Sequence, residues 1–484
     1  MANTFGLYVG NSTASIAIFK EERKVEVLAN EAGDRVTPTV VTLSHEEKVV
    51  GPTSVSFSKA FCTVANNKKL LDTTLTPEDL ELCIEQSSVP ISKENGITYT
   101  ISETDQKPLL YTPVQVAVLI FKKLYNIGVS ACGEKNLSCV ICAPHSWNDD
   151  TRVVLKDAAE EAGWKVLQII NEAPAALLAY HIGFEKVPQE MNVLVYRLGG
   201  ISCEASVIKV ESGLYSTLSS FESQTGGQTI VTALKDHLVE EFARKFYLDP
   251  TESRKSIWKF RVAAQSMLHT LSTVPMCSRF IESACEGVDF NVSVSVARLN
   301  SLLSPLLPAF SQPIHKALEA ANLKASDISK IILSGGCLKI PKIRSHVSSF
   351  FDCEALCSIP PDEVLACGAA EQAGLICNLG IALKSAEEIP FLASPVIMKL
   401  NNEEITLEKN VIPSFKQLNI RADEEVVNIS VNQGSVEGKT KLDIDVPSEL
   451  KVNLKVTSQG EILIEALNKT SNESIKGFID FHVD

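Results

Sequence analysis

Two short units of apolar–turn–apolar sequence stand far apart in the chain. Residues 5–9 are apolar, residues 10–13 form a polar turn that contains glycine, and residues 14–19 are apolar again. A similar unit occurs in the middle of the chain, where residues 192–196 and 205–210 flank Gly199 and Gly200. Short apolar runs bounded by turn residues predict β-hairpins. We therefore expect two related hairpins within one α/β region.

Helical patterns lie between and after these hairpins. Thr112 followed by Pro113 is typical of an N-cap with proline at the first helical position, and an apolar stripe at helical spacing follows it. Residues 149–162 repeat this pattern and precede Gly163, a typical residue just past a helix end. The alternation of helices and strands up to residue 378 indicates an α/β fold with stacked layers.

The pattern changes in the last part of the chain, where apolar and polar residues alternate with period two. Val427, Ile429 and Val431 are interleaved with polar residues, and later segments do the same. Such alternation predicts antiparallel strands with one buried face, and hence a β-sandwich. The segment before it has two prolines and little periodicity. We therefore divide the chain into an α/β domain (1–378), a linker (379–394) and a small all-β domain (395–484).

Composition and charge narrow the class of protein. The chain has 484 residues, of which 45% are hydrophobic and 21% charged, so it has ample material for packed cores. Its net charge of −14 argues against direct nucleic-acid binding and against broad binding to anionic membranes. Because no uninterrupted apolar run approaches the ~20 residues of a membrane span and no signal-peptide pattern opens the chain, we expect a cytoplasmic (cytosolic) protein.

The thirteen cysteines indicate reduced thiols in an unsecreted chain. Cys139 and Cys142 form the only C-x-x-C motif, within a predicted strand. Their odd separation sends the two side chains to opposite faces of the strand. This favours apolar packing over metal binding or redox chemistry.

The two glycine-containing turns are candidates for binding phosphate. Glycine permits close approach of the backbone, and successive N–H groups can form an anion cradle. One such hairpin is usually structural, but two in one α/β domain favour a site that holds a phosphate chain between them.

Several segments resemble the heat-shock protein 70 family in order and spacing. The sequence GLYVGNSTASIAIF is similar to the first phosphate loop of that family, and the other matching segments are 29–41, 142–152, 169–180, 194–208, 334–342 and 358–370. On these motifs the chain is identified as a member of the family. The resemblance implies an actin-like, two-lobed nucleotide-binding domain over 1–378 that binds ATP or ADP. It also implies a truncated β substrate-binding-like domain over 395–484, without a helical lid.

The resemblance also assigns candidate site residues. Those expected to bind the nucleotide lie on the two turns and around the adenosine: Gly10, Asn11, Ser12, Thr13, Arg197, Gly199, Gly200, Ile201, Ser202, Gln265, His269, Ser272, Gly335, Gly336, Lys339 and Asp362. Lys68 and Glu172 match the catalytic positions near the γ-phosphate and the attacking water. From the sequence alone, Lys68 could equally be a solvated helical lysine, and Glu172 an acid favoured by a helix N-terminus.

The chain departs from the family where Mg²⁺ is held. Tyr8 and Arg197 stand where the resemblance places the two aspartates, a local charge change of about +3 at a site for a cation that requires anionic oxygen ligands. We therefore expect no metal site, and nucleotide binding without strong dependence on Mg²⁺. Two alternatives remain for Arg197: it pairs with phosphate directly, or it turns to solvent.

The linker also departs from the family, because Pro390 removes a backbone donor that strand-like docking would need. These departures together resemble an atypical short branch of the family, represented by the Ssz-type protein of fungi and its animal counterpart in the ribosome-associated complex. That resemblance implies a chaperone or co-chaperone in protein folding and the stress response, with weak or absent ATP hydrolysis. The implied partners are a zuotin-type J-protein, the ribosome indirectly and, in some form, nascent or unfolded polypeptide.

Two alternatives to this function remain open from the sequence. The first is an ATP-hydrolysing folding chaperone with its own substrate cycle. The second is an actin-like-fold kinase or a purely structural relative, which lacks a visible acidic base beside a substrate cleft.

Overall fold

The computed structural model describes residues 3–20, 24–51, 62–93, 96–102, 107–183, 190–211, 214–378, 396–400, 403–407, 415–422, 426–433, 436–443, 448–456, 462–468 and 474–479. The predicted linker, with Pro390, lies outside the described residues.

The strands, in chain order, are β1 (Thr4–Val9), β2 (Thr13–Lys20), β3 (Lys24–Val27), β4 (Thr37–Pro38), β5 (Val41–Leu43), β6 (Lys48–Val50), β7 (Thr63–Val64), β8 (Ile91–Ser92), β9 (Thr98–Ile101), β10 (Leu109–Tyr111), β11 (Ser138–Ala143), β12 (Lys165–Asn171), β13 (Met191–Leu198), β14 (Cys203–Glu211), β15 (Leu214–Ser223), β16 (Met276–Cys285), β17 (Val288–Ser295), β18 (Lys330–Ser334), β19 (Ala355–Leu356), β20 (Val396–Leu400), β21 (Glu403–Leu407), β22 (Phe415–Ala422), β23 (Val426–Gln433), β24 (Val436–Asp443), β25 (Ser448–Val456), β26 (Ile462–Asn468) and β27 (Ser474–Ile479).

The α-helices are α1 (Pro77–Gln86), α2 (Pro113–Cys132), α3 (Asp149–Glu161), α4 (Glu172–Ala179), α5 (Gly227–Phe246), α6 (Arg254–Leu271), α7 (Val296–Leu303), α8 (Leu307–Ala320), α9 (Pro341–Ser348) and α10 (Val364–Asn378). Short 3-10 helices cover Asn67–Leu71, Pro250–Glu252, Ser304–Leu306, Ala325–Asp327 and Gly336–Lys339.

The two predicted hairpins each form the centre of a mixed sheet. The first sheet has the order β12-β11-β1-β2-β3, with β4 also paired to β2, and the second has the order β15-β14-β13-β18-β19. In both sheets the hairpin is antiparallel and its first strand pairs in parallel with a later strand, β11 in one case and β18 in the other. The two halves of the α/β region therefore repeat one topology, and the predicted pair of related hairpins is confirmed.

Helix α10 packs where the two halves meet. One core cluster combines residues of α10 with residues of α4, β2, β13 and β14. The contact between α4 and α10 is a direct backbone contact, because a Cβ atom at Gly368 would lie 1.7 Å from the carbonyl oxygen of Ala175. Helices α4 and α10 are thereby held in direct contact.

The local predictions for α2 and α3 are confirmed. Thr112 caps α2 and forms a reciprocal capping box with Gln115, with Pro113 in the first turn. Helix α3 is followed by Gly163, which has φ +107°. Among the described residues, α2 is the one helix long and apolar enough to cross a membrane, but its apolar stripe is buried against a core cluster of the first half.

Cys139 and Cys142 lie on β11 and are both buried. Their side chains join two different core clusters, one on each face of the strand. The prediction of opposite faces is confirmed.

The last part of the chain forms strands in the places that the period-two pattern indicates. Two four-stranded sheets have the orders β21-β20-β23-β24 and β22-β25-β26-β27, and all their pairings are antiparallel. The sandwich arrangement and the boundaries of this domain stay predictions.

Candidate functional site

The turns of the two central hairpins have the same hydrogen bond and contact each other. Gly10 N–H donates to the carbonyl of Thr13 (2.8 Å), and Gly199 N–H donates to the carbonyl of Ser202 (2.9 Å). A Cβ atom at Gly200 would lie 1.8 Å from Ser12 Oγ, so only glycine permits this approach. The structure therefore brings the predicted phosphate-binding turns together.

The second turn is held by the N-terminus of α5. Gly227 N–H donates to the carbonyl of Gly199 (2.9 Å), and Gln228 N–H donates to the carbonyl of Gly200 (2.7 Å). Ile201 and Ser202 pack so closely against Gly226 that a Cβ atom there would lie 2.6 Å from the Ile201 carbonyl carbon and the Ser202 nitrogen. The position of the turn is thus fixed by backbone contacts.

Lys68 lies on the 3-10 helix that runs beside the first turn. Asn67 anchors this helix, since its side chain donates to the carbonyl of Pro113 (2.8 Å) and accepts from Tyr99 Oη (2.9 Å). The backbone N–H of Lys69 donates to Asn11 Oδ1 (2.9 Å) and so connects the helix to the turn. Lys68 itself is only 6% exposed, so the interpretation as a solvated lysine is wrong.

Glu172 is buried at the start of α4, directly after β12. Its Oε1 lies 2.9 Å from Lys68 Nζ. The preceding residue, Asn171, accepts a hydrogen bond from Arg152 (2.6 Å), which also donates to the carbonyl of Pro144 (3.0 Å). Glu172 is thus in the first turn of a helix and also in an ion pair at the site, and its catalytic role stays a prediction.

Arg197 is buried among three glutamates. Its Nε lies 2.8 Å from Glu172 Oε2, and an Nη atom lies 3.2 Å from Glu204 and 3.4 Å from Glu222. Arg197 is only 8% exposed, so the alternative in which it turns to solvent is wrong. Pairing with phosphate stays a prediction.

Glu204 and Glu222 were missed at the sequence level, although a signal existed for the first of them. Arg197 pairs with Glu204 in the β13–β14 register, and Glu204 pairs with Glu222 in the β14–β15 register. Directly opposed residues share one face of a sheet, so the three side chains form a row. The hairpin prediction around Gly199 and Gly200 already implied the first pairing.

The charges at the site stabilise one another. Burial by itself would lower the pKa of Arg197, but Glu172 and the other acidic neighbours outweigh this and raise it well above its ordinary value. Burial would raise the pKa of Glu172, but Lys68 and Arg197 outweigh it and hold the pKa below its usual range. Burial, and next Glu172, raise the pKa of Tyr8, so its phenol is neutral. Lys68 Nζ also lies over the rings of Tyr8 (5.0 Å) and Trp147 (5.4 Å).

These residues do not fit a magnesium ion. The positions of the two expected aspartates hold a neutral phenol and a guanidinium, and the three neighbouring carboxylates all pair with that guanidinium. Mg²⁺ prefers anionic oxygen ligands that are free to coordinate it. In the part of the chain that the structure describes, no group of three His, Cys, Asp or Glu residues could hold a metal ion.

The residues predicted to surround adenosine lie on three neighbouring segments. Lys339 Nζ lies 2.5 Å from Asp362 Oδ2, and the other oxygen of Asp362 is buried without a hydrogen-bond partner in the described structure. His269 has its pKa lowered by burial and by the nearby charge of Lys339. His269, Lys339 and Asp362 are therefore brought together.

The other predicted residues on this side occupy less distinctive positions. Ser272 donates from its hydroxyl to the carbonyl of His269 (2.6 Å), and Gln265 is exposed on α6. Gly335 has φ +99°, and its N–H donates to the carbonyl of Pro361 (2.7 Å). Gly336 is exposed, with open space where a side chain would be.

The two sheets and their paired glycine turns define a mixed α/β nucleotide-binding domain. A family model described as Hsp70 protein matches residues 4–436, and the chain therefore belongs to the Hsp70 family. It is similar to Heat shock 70 kDa protein 14 of Danio rerio, with 37% identity over 375 residues that cover 77% of this chain and 74% of that protein. The protein of the same name from Bos taurus is 32% identical over 453 residues, which cover 91% of this chain and 89% of the relative. Heat shock 70 kDa protein 14-B of Xenopus laevis is 36% identical over 375 residues, 77% of this chain and 74% of the relative.

Proposed function

We propose that this member of the Hsp70 family binds ATP or ADP between its two hairpins and acts as a chaperone partner rather than through a metal-dependent hydrolysis cycle. The observation that carries the proposal is the buried ion pair between Arg197 and Glu172. Hsp70 proteins generally use Mg²⁺ with their nucleotide, and here a guanidinium stands among the acidic side chains of the site.

The two candidate catalytic side chains support the same proposal. Lys68 and Glu172 are paired with each other, and Glu172 is also paired with Arg197. Catalysis of phosphoryl transfer depends on positioned charges that act on the transferred group and on the attacking water. A carboxylate held by two cations is a poor base, because both contacts stabilise its deprotonated form.

The partners belong to the proposal as well. We place the protein with a zuotin-type J-protein that brings it to the ribosome in the cytosol, where it supports the folding of nascent chains. The support is the resemblance of NEAGDRVTP, LGGISCEASV and SIPPDEV to the ribosome-associated branch, together with the acidic net charge of −14. A β substrate-binding-like domain over 395–484 completes this proposal.

A second candidate function is an ATP-hydrolysing chaperone with its own substrate cycle. It is favoured by one observation, namely that Lys68 and Glu172 are both present and adjacent, with 2.9 Å between Nζ and Oε1. On this candidate, nucleotide binding would rearrange the pair into a catalytic arrangement.

Single-turnover hydrolysis distinguishes the two candidates. The purified full-length chain is mixed with ATP and Mg²⁺, with and without a J-domain protein, and ADP formation is followed over time. We expect no stimulation by the J-domain. The matched control is the J-protein without its J-domain, and stimulation that depends on the J-domain would return the protein to the hydrolysing chaperones.

A further inference from the structure

The charged side chains at the site form a cluster of ion pairs. Glu172 lies between two cations, since its Oε1 is 2.9 Å from Lys68 Nζ and its Oε2 is 2.8 Å from Arg197 Nε. The latter two atoms are close but are not aligned for a hydrogen bond. The Arg197 guanidinium also contacts Glu204, Glu222 and the hydroxyl of Ser202. Each oxygen of the Glu172 carboxylate therefore lies within ion-pair distance of a different cation.

The charges of this cluster are balanced internally. Lys68 and Arg197 provide two positive charges and Glu172, Glu204 and Glu222 provide three negative charges. The charge of nearby Arg152 also acts on Glu172, so the six groups sum to zero. Glu222 is exposed, whereas the other five residues are buried, and charges interact strongly where water is excluded. A polyphosphate without a metal therefore meets cations that are already paired.

The cluster also joins the two halves of the α/β region. Lys68 belongs to the first half, and Glu172 begins α4 after the last strand of the first sheet. Arg197 lies on β13, in the second sheet, next to the turn that contacts Ser12. An anion that takes Glu172's place at Arg197 changes a contact between the two halves.

We infer that Glu172 is an internal competitor for the phosphate groups of the nucleotide, and that it limits the affinity of the site for metal-free polyphosphates. This inference rests on the proposed nucleotide binding. Phosphate oxygens and the Glu172 carboxylate bind the same cations. We expect phosphate to displace Glu172 from Lys68 first. When Glu172 is displaced, Arg197 still pairs with Glu204 and Glu222. Among the contacts described above, Lys68 then has only those with the rings of Tyr8 and Trp147.

The test is a binding measurement with the full-length protein in excess chelator. Titration calorimetry compares wild type with Glu172→Gln, with ATP, ADP and inorganic pyrophosphate as three separate ligands. Neutralising the competitor frees Lys68 and removes one negative charge, so we expect each ligand to bind about tenfold or more tightly. Glu371→Gln is the matched control, since Glu371 is another buried glutamate, on α10, and pairs with His181 (3.6 Å) away from the cluster.

A second readout does not depend on the nucleotide. Thermal unfolding of wild type and of Glu172→Gln, both without nucleotide, is measured with and without pyrophosphate. Pyrophosphate should raise the melting temperature of Glu172→Gln more than that of wild type. If Glu172→Gln is too unstable to titrate, Glu172→Asp carries the test, because its shorter side chain keeps the charge but does not reach both cations. We expect an intermediate gain in affinity for it.

The outcomes separate the two claims. If wild type binds ATP or ADP and Glu172→Gln binds them with equal or lower affinity, the inference is overturned. The proposed nucleotide binding then stays in place. Absence of nucleotide binding in wild type and in every variant overturns the proposed nucleotide site and the inference with it. A gain of the same size in Glu371→Gln also overturns the inference, since the effect would then not be specific to the cluster.

Discussion

Two substitutions relative to the family pattern, at Tyr8 and Arg197, determine the chemistry of the site. Tyr8 is a neutral phenol against Lys68, and Arg197 is a buried cation among three glutamates. The acidic groups that surround Arg197 would repel one another without it. The guanidinium thus provides the compensating positive charge from within the chain.

Replacement of both residues by aspartate tests this role of Arg197. In Tyr8→Asp/Arg197→Asp the glutamates lose their partner, and we expect the free energy of unfolding to fall by about 3–5 kcal/mol in chelator, as when one member of a buried ion pair is removed. Millimolar Mg²⁺ should restore part of the loss, because the site then offers anionic oxygens to the ion.

The measurement is thermal unfolding with and without Mg²⁺. The control is Arg197→Gln, which removes the cation without adding carboxylates and should lose stability but respond less to Mg²⁺. An unchanged melting temperature of the double variant on addition of Mg²⁺ would contradict this account of the site.

Lys68→Ala tests whether hydrolysis matters for function. If the protein is a chaperone partner, the variant should support growth of cells that lack the wild-type protein nearly as well as wild type does. If it is a hydrolysing chaperone, loss of one positioned cation should lower activity by about two orders of magnitude or more.

Lys69→Ala is the matched control, since Lys69 pairs with Asp79 (3.0 Å) at the edge of the site. Protein levels are compared by immunoblot, because Lys68 is itself a partner of buried Glu172.

At the scale of elements, the two hairpins are matched so that their turns touch. The contact depends on small residues, with Gly200 facing Ser12. A substitution on one turn should therefore be relieved by a smaller residue on the other.

Gly200→Ala should destabilise the protein by about 1–3 kcal/mol, because overpacking of a close contact forces the neighbouring segments apart. Its Cβ would lie 1.8 Å from Ser12 Oγ and 2.8 Å from Ser12 Cβ. Ser12→Gly removes both atoms, so the double variant should recover most of the loss. A double-mutant cycle by urea unfolding measures this coupling, with Gly336→Ala, where nothing lies within 4 Å, as the control. Simple additivity of the two substitutions would contradict the contact.

Helices α5 and α7 are joined by a contact between a buried histidine and an arginine. His237 on α5 is buried, and Arg298 Nε on α7 donates to its Nε2 (3.3 Å). Burial, together with Arg298 and Arg244, lowers the pKa of His237, although the nearby Glu241 and Glu240 act in the opposite direction.

A lowered pKa means that the unfolded chain binds the proton more readily than the folded protein does. The stability contributed at His237 is therefore present at neutral pH and is lost as the pH falls below the ordinary histidine value. Between about pH 7.5 and about pH 5.5, we expect the melting temperature of wild type to fall more than that of His237→Gln. Equal slopes in the two proteins would show that His237 does not contribute.

At the scale of the whole molecule, the α/β region consists of two halves with one sheet order. The cluster of Lys68, Glu172 and Arg197 lies where the halves meet, and α10 packs at the same junction. The whole chain has a net charge of −14, which sets how it meets other macromolecules.

This charge predicts that the proposed association with ribosomes is indirect. Ribosomal RNA is a dense array of phosphates, and a strongly acidic chain lacks the basic surface that binds such arrays. In sedimentation at physiological salt, the isolated protein should stay in the supernatant, and a zuotin-type J-protein should bring it into the ribosome pellet. The J-protein alone is the control for its own binding. Salt-sensitive sedimentation of the isolated chain with ribosomes would contradict the prediction.

The sequence by itself determined the local helices and strands and the unusual residue types at the site. The period of apolar residues, the N-cap at Thr112 and the glycine turns predicted the hairpins and helices, because these depend on neighbouring residues along the chain. The same holds for Cys139 and Cys142, whose opposite faces follow from the pleat of one strand. The family motifs identified Tyr8 and Arg197 as the positions that differ.

Only the tertiary structure decided what the charged residues do. Lys68 and Glu172 are 104 residues apart in the chain, and no local pattern shows that they form a buried pair. Arg197 had open alternatives in the sequence, and its environment excluded one of them by placing Glu172, Glu204 and Glu222 around it. The physical reason is that burial removes water from these groups, so the state of each depends on which partners lie within a few ångströms, and that distance is set by how distant segments pack.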